Sequence, residues 1–237
     1  MSLLTPAQIT SMIDLSAVRP ESDDEGVRVV VEAAHRYACG LVSVLPAQTA
    51  LTRRFLDALG GDPLIRLGGN VGFPSGGQTT SIKAAEAREL VALGCDELDM
   101  VVNMAALRSN RDADVLTDIR AVVDGAAGVP VKVILECHYL TAAQIRTGCD
   151  LAMEAGAAFI KTGTGWAPTG ATPMRVSIIK KHVGDRLQIK AAGGIRSLEM
   201  ILEMYELGAR RFGISVRTGA PILAELAARK EPYEVGD

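Results

Sequence analysis

The feature that most constrains this chain is a repeat: short, β-branched apolar runs alternate with longer amphipathic stretches over its whole length. The runs fall at 12–14, 41–44, 67–71, 97–102, 131–136, 158–161, 187–190 and 211–214, giving eight candidate strands. Between them, a segment such as 81–93 places Ile82, Ala85, Leu90 and Leu93 close to one helical stripe, and 141–155 opens on Thr141 as an N-cap. Gly94, Gly156 and Gly208 stand between an apparent helix and the next strand, where chains commonly leave a helix. The repeating unit is therefore strand, turn, helix, turn. Periodicity alone does not separate a closed barrel from an open doubly wound sheet. Eight units in 237 residues, close to the ~250 of a (β/α)8 barrel, favour closure. The expectation is an α/β fold, a single (β/α)8 TIM barrel with a short N-terminal helix, occupying 1–237 as one domain. No low-complexity linker divides the chain, and 229–237 reads as a short polar terminus.

Composition supports buried parallel strands under helices. Hydrophobic residues make up 48% of the chain but aromatics only 4%, so the interior must be built from Val, Ile, Leu and Ala. A formal charge of −3 without a Lys/Arg run offers no footprint for nucleic acid. The longest apolar stretches fall far short of the ~20 residues of a membrane span, and the first residues lack a basic segment followed by an apolar one. A cytoplasmic protein without a membrane partner is expected. Cys39, Cys95, Cys137 and Cys149 are scattered without a C-x-x-C pair and read as buried or idle thiols. His35, His138 and His182 are isolated, so no metal centre is expected.

In a barrel the reacting groups lie at the C-terminal ends of the strands. Asp14, Asn103, Glu136, Lys161 and Lys190 end five of the runs, and Asp99 lies inside a sixth. Lys161 follows Phe159-Ile160 and precedes the small, polar Thr162-Gly163-Thr164-Gly165; Lys190 precedes Ala191-Ala192-Gly193-Gly194. Two amines are thus aimed at one cavity. A free lysine, with a pKa near ~10.4, is too fully protonated at neutral pH to attack a carbonyl. A neighbouring ammonium and desolvation both disfavour its charged form, so Lys190 is expected to activate Lys161 as a Schiff-base nucleophile. Asp99 is the expected acid/base partner, with Asp14 in reserve. On position alone, lysines that snorkel to solvent or pair with Glu136 fit about as well; their pairing before glycine-rich loops favours catalysis.

Gly193, Gly194 and the stretch from Gly213 to Ser215 are placed to cradle an anion, as barrel loops after strands seven and eight often do. The segment 72–77, Gly-Phe-Pro-Ser-Gly-Gly, lacks the Lys-Ser/Thr ending of a nucleotide loop and reads as a shaped loop near the site mouth.

From about Met12 to about Ile222 these residues resemble the deoxyribose-phosphate aldolase family. The resemblance rests on Ile13-Asp14-Leu15-Ser16, Val71-Gly72-Phe73-Pro74 with Thr79-Thr80 and Lys83, and the run from Gly94 to Asn103. It continues in Val131 to Glu136, Phe159-Ile160-Lys161-Thr162 with Thr164-Gly165, and Ile189-Lys190-Ala191 with Gly193 to Arg196. The resemblance implies a class I, metal-independent aldolase of deoxyribonucleotide catabolism. Such an enzyme reversibly cleaves 2-deoxy-D-ribose 5-phosphate to acetaldehyde and D-glyceraldehyde 3-phosphate through a lysine Schiff base, with no cofactor. It implies Lys161 as the Schiff-base lysine, Lys190 as its activator, Asp99 as acid/base and Asp14 as an auxiliary relay. Thr162, Gly165, Gly193, Gly194, Gly213, Ser215 and Arg217 become the expected substrate and phosphate contacts. The partners implied are a small-molecule sugar phosphate and an aldehyde, with a homodimer as the candidate assembly.

The departures from the family gather where the far end of the substrate should lie. Gly163 and Ala192 stand where serines are usual, Val216 and Arg217 where a second serine and a small residue are common, Ser43 where cysteine is frequent, and Trp166 where phenylalanine or lysine occurs. Arg217 could grip a phosphate or a carboxylate with its donor fork, or lie in solvent. The alternatives are a lysine-dependent aldolase or lyase with another donor, or with a non-phosphorylated or carboxylated substrate; a non-catalytic sugar-phosphate-binding barrel; and a metal-dependent hydrolase.

Overall fold

The computed structural model describes residues 2–60 and 65–236; the outermost residues of the expected domain, Met1 and Asp237, lie outside them. The chain opens with β1 (Ser2–Leu4) and α1 (Pro6–Ser11), followed by β2 (Ile13–Ala17), α2 (Asp24–Tyr37), β3 (Leu41–Val44) and α3 (Thr49–Ala58). Next come β4 (Arg66–Val71), α4 (Thr80–Ala92), β5 (Glu97–Val101), α5 (Met104–Arg108), α6 (Asp112–Gly125) and β6 (Val131–Ile134). The last part holds α7 (Ala142–Glu154), β7 (Phe159–Lys161), α8 (Pro173–Val183), β8 (Gln188–Ala192), α9 (Leu198–Glu206), β9 (Arg211–Ser215), α10 (Val216–Ala228) and β10 (Tyr233–Val235).

Strands β2 to β9 are parallel and close into a barrel in sequence order, with β2 pairing β9. All eight expected runs are strands of this TIM barrel, and the short N-terminal helix is α1. Thr5 and Gln8 cap that helix reciprocally, and Thr141 and Gln144 do the same for α7, each pair satisfying two backbone donors that a helix start otherwise leaves orphaned. Gly94, Gly156 and Gly208 take φ of +86°, +82° and +102°, a region that a Cβ would penalise. Among the described residues no helix is long and apolar enough to cross a membrane.

The period-two alternation of each strand divides its side chains between two interiors. On β5, Leu98 and Met100 pack outward beneath the helices in one continuous aliphatic layer with residues such as Val30, Ile119 and Ile201. Each such side chain contributes about 1.5–3 kcal/mol by burial. Glu97 and Asp99 of the same strand face the barrel axis, and the axis is charged.

Two expectations are corrected. The tail 229–237 is not merely a polar terminus: β10 pairs antiparallel with β1, Leu4 opposite Tyr233 and Ser2 opposite Val235, and buries Leu4 and Val235. Three residues are too few for alternation to register in a sequence. Asp14 and Lys190 also do not end their strands, since β2 continues to Ala17 and β8 to Ala192. Lys161 is the last residue of β7 and pairs in register with Lys190.

Candidate active site

The C-terminal mouth of the barrel opens into a cavity of about 570 Å³. Its lining brings together Asp14, Lys161 and Lys190 with the expected anion contacts Gly165, Gly193, Gly194, Gly213, Ser215 and Arg217. Their source elements are far apart in sequence, and closure of the sheet places them around one space.

Lys161 Nζ donates to Asp99 Oδ2 at 2.7 Å, and Lys190 Nζ donates to the same oxygen at 2.7 Å. Lys190 also lies 2.6 Å from Asp14 Oδ2. Neither lysine pairs with Glu136. That carboxylate, held on a residue with φ of +51°, instead accepts from the amide and hydroxyl of Thr164. Asp99 does not line the cavity; it lies beneath the two ammonium groups with 2% of its surface exposed.

Burial and charge pull these groups apart. Desolvation lowers Lys161 to about 8; Asp99 opposes that shift, while Lys190 and Lys132 add to it. Lys190, equally buried, is held above the ordinary lysine value because Asp14 and Asp99 outweigh its desolvation. Burial would raise Asp99, but Lys132, Lys161 and Lys190 hold it well below the usual carboxylate range. For Asp14 the balance of burial against Lys190 and Arg211 leaves about 2. Of the two amines facing the cavity, Lys161 is the one that becomes neutral near physiological pH. An amine of this kind, with a carboxylate in contact, can attack a carbonyl and lose water to form an imine.

Other expected contacts behave differently. Thr162 is fully buried and does not reach the cavity: its hydroxyl donates to the Ala192 carbonyl at 2.8 Å and accepts from the Ala192 amide at 2.9 Å, tying β7 to β8. Ser215 is the N-cap of α10, accepting from the Thr218 amide at 3.3 Å at the start of a helix that faces the cavity. Arg217 lies in the first turn of that helix, exposed to solvent on the cavity wall. Asn103 caps α5 through the Ala106 amide. Gly163 has a local reason: a Cβ there would come within 2.7 Å of Glu136 Oε1, so a serine would require that carboxylate to move. All four cysteines are buried and unpaired, and burial raises each thiol above its ordinary value.

The sequence reading missed Arg19 at the rim and Glu97, Lys132 and Arg211 at the floor. At the rim, Arg19 Nη2 donates to the Gly165 carbonyl at 2.7 Å and its guanidinium lies 5.1 Å from the Trp166 ring. Trp166 Nε1 donates to the Val18 carbonyl at 3.1 Å, and the Phe73 ring meets the indole edge-on at 6.0 Å, which places 72–77 at the mouth as expected. At the floor, Glu97, Lys132 and Arg211 surround Asp99 and Asp14. The available signal was a charge within an apolar run, visible in Val131-Lys132-Val133 and in Glu97 two residues before Asp99 on the same strand face. Among the described residues no group of three or more His, Cys, Asp or Glu is arranged to hold a metal ion.

Residues 8–220 match the family described as DeoC/LacD family aldolase. The chain is 46% identical over 232 residues to the deoxyribose-phosphate aldolase of Klebsiella pneumoniae, covering 97% of this chain and 92% of that one. A solved structure described as QR15, an aldolase, superposes with a TM-score of 0.86 at 32% identity, over 93% of this chain and 96% of that chain. The tetrameric deoxyribose phosphate aldolase of Aeropyrum pernix superposes with a TM-score of 0.85 at 27% identity, over 94% and 93%.

Proposed function

Because this chain belongs to the DeoC/LacD family of aldolases and is a class I aldolase, a carbon–carbon lyase, we propose that it cleaves 2-deoxy-D-ribose 5-phosphate reversibly through an imine on Lys161. The observation that carries this reading is the contrast between two buried amines. Lys161 reaches the cavity with its proton loosely held, whereas Lys190 is clamped between Asp14 and Asp99.

The neutral Nζ of Lys161 adds to C1 of the open-chain aldehyde, and the carbinolamine expels its hydroxyl as water to leave a protonated imine. A base then takes the proton of the C3 hydroxyl. The C2–C3 bond breaks, its electron pair passes into the imine to give an enamine, and glyceraldehyde 3-phosphate departs. Protonation of the enamine at its terminal carbon and hydrolysis release acetaldehyde and regenerate the amine. Asp99, ionised and in contact with both amines, serves as the base through an intervening water, with Asp14 holding Lys190 in place. Gly165, Gly193, Gly194, Gly213 and Ser215 supply the wall for the phosphate, with the N-terminus of α10 and Arg217 complementing its charge.

The same reading takes the chain as one domain over 1–237 and as a cytoplasmic enzyme acting on a sugar phosphate and an aldehyde. A homodimer remains the proposed assembly, although the Aeropyrum pernix relative is described as a tetramer. A second reading, an aldolase for a carboxylated or non-phosphorylated partner, draws on one observation. Arg19, Arg196 and Arg217 all line the cavity, and a guanidinium fork donates to carboxylate as readily as to phosphate. Turnover decides between them. Purified protein supplied with 2-deoxyribose 5-phosphate should release glyceraldehyde 3-phosphate, measured by its coupled reduction. No release from this substrate, together with turnover of a carboxylated aldehyde, selects the second reading.

A further inference from the structure

We propose that Glu97, Lys132 and Arg211 are positioning residues of the lysine site: with Asp14, Asp99 and Lys190 they close a charge-neutral ring around the barrel axis that leaves Lys161 as the one surplus cation, and so decide which lysine stays an amine. The inference rests on the imine reading of Lys161.

The ring can be followed contact by contact. Glu97 Oε1 accepts from Arg211 Nη1 at 3.0 Å, and Arg211 Nε donates to Asp14 Oδ1 at 3.0 Å. Asp14 Oδ2 meets Lys190 Nζ at 2.6 Å, and Lys190 Nζ donates to Asp99 Oδ2 at 2.7 Å. Asp99 Oδ1 accepts from Lys132 Nζ at 2.9 Å, and Lys132 Nζ returns to Glu97 through Oε2. Anion and cation alternate without a break. The side chains are at most 8% exposed, Lys161 included. Arg66 touches Glu97 from the outer side at 2.6 Å, with its own side chain 39% exposed and therefore screened by solvent.

Most barrels fill this space with branched aliphatic side chains. Here Lys132 and Arg211 do not line the cavity, and Glu97 does not either, so none of them is placed to touch substrate. Yet a buried charge is costly unless paired, and a pair within a ring is paired twice. With the ring complete, every carboxylate already has two cationic partners. Lys161 can approach only an oxygen of Asp99 that Lys190 also holds. Lys161 is therefore the group whose proton can be released without breaking the alternation. The charges that reach it come from Asp99 on β5, Lys132 on β6 and Lys190 on β8, with Asp14 on β2 and Arg211 on β9 behind Lys190. The facing residues of β3 and β4 are Ser43 and Asn70, which carry no charge and bond to each other at 2.8 Å.

The sign of each substitution follows. Lys132→Gln removes a cation, makes the ring anionic and strengthens the hold on the Lys161 proton. Glu97→Gln makes the ring cationic and weakens it. The double variant restores neutrality. The readout is the pH at which acetaldehyde and cyanoborohydride trap half-maximally on Lys161 in the full chain. Wild type should show a midpoint near 8. Lys132→Gln should move it up and Glu97→Gln down, each by about half to one pH unit, so that the trapping rate at pH 7 changes ~3–10-fold in opposite directions. The double variant should return near the wild-type midpoint.

Singles that stay folded and share the wild-type midpoint, or that both move it the same way, overturn the inference while leaving the imine reading intact. Absence of trapping at any pH in wild type sinks the imine reading instead. Where a single variant does not fold, wild type supplies the answer through competitive amine labelling against pH. Lys161 should gain reactivity near pH 8, while Lys190, held above the ordinary lysine value by Asp14 and Asp99, stays unreactive there. Lys190 labelled with the Lys161 midpoint contradicts the ring.

Discussion

The cavity has two ends built in different ways. At its inner end Lys161, Lys190 and Asp99 project from strands whose register is fixed, Lys161 opposite Lys190 across β7 and β8, and each polar atom meets another charged side chain. At its outer end Arg19, Trp166, Ser215 and Arg217 belong to loops and to the first turn of α10, and their polar atoms mostly meet backbone carbonyls and amides. A charge network locked by sheet register tolerates little change, because removing one member leaves a buried charge unpaired. A rim bonded to main chain can exchange side chains while its backbone keeps its shape. This difference accounts for the departures at Trp166 and Arg217 on the rim, whereas Ser43, Gly163 and Ala192 depart from the family pattern at buried positions. The chemistry is set by the inner end and the identity of the substrate's far end by the outer.

The contrast can be broken most forcefully at Asp99. Asp99→Asn keeps the shape but removes the carboxylate, so Lys161 should still form an imine while proton transfer stalls and kcat falls roughly 10²–10⁴-fold. Parallel measurement of kcat and of borohydride trapping checks this, and loss of both together would make Asp99 structural rather than chemical.

The second effect concerns acid stability. The folded pKa of Asp14 is about 2 against an ordinary 3.8, so its carboxylate stabilises the fold above about 3.8 and that contribution is lost as the pH falls toward 2. Asp99, lowered in the same direction, adds to it. The Asp14 share is on the order of 2 kcal/mol. Urea unfolding from pH 5 downward should show stability falling with pH, and a weaker fall in Asp14→Asn; an unchanged slope would disconnect the ring from the fold.

At the outer end, Arg217→Ala should raise KM for the phosphorylated substrate by about tenfold with kcat little altered, as expected for loss of one charge-assisted contact. A fall in kcat at constant KM would place Arg217 with the inner end. The smallest effect is expected for Trp166→Phe, which loses the indole bond to Val18 but keeps a ring beside Phe73 and Arg19. A change in KM of a few-fold, about 1 kcal/mol or less, fits one solvent-accessible hydrogen bond.

How far the molecule could be read in advance follows the same division. The eight strands were visible because each run holds β-branched residues and several helices between them, among them α2, α7, α8 and α9, carry a side-chain cap, although α3, α4 and α6 do not. Lys161 was visible because it and Lys190 each precede a glycine-rich loop, and that pairing, rather than position alone, favours catalysis over a snorkelling lysine. Glu97, Lys132 and Arg211 were not. A single charge in an apolar run has no meaning until closure of the barrel brings in partners as distant as Asp14 and Arg211, 197 residues apart. Thr162 misled for a related reason: adjacency to Lys161 suggested the cavity, but alternation along β7 turns its hydroxyl to Ala192. Asp14 and Lys190 line the cavity, but neither ends its strand, since the polar residue that ended the apolar pattern did not end the strand.

The most direct test of the account is borohydride reduction of the full chain in the presence of acetaldehyde at pH 8, followed by intact mass and peptide mapping. The account predicts one two-carbon adduct carried by Lys161, with Lys190 and Lys132 unmodified. An adduct centred on Lys190, or a folded protein that acquires none, would contradict the claim that Lys161 is the amine this barrel releases for chemistry.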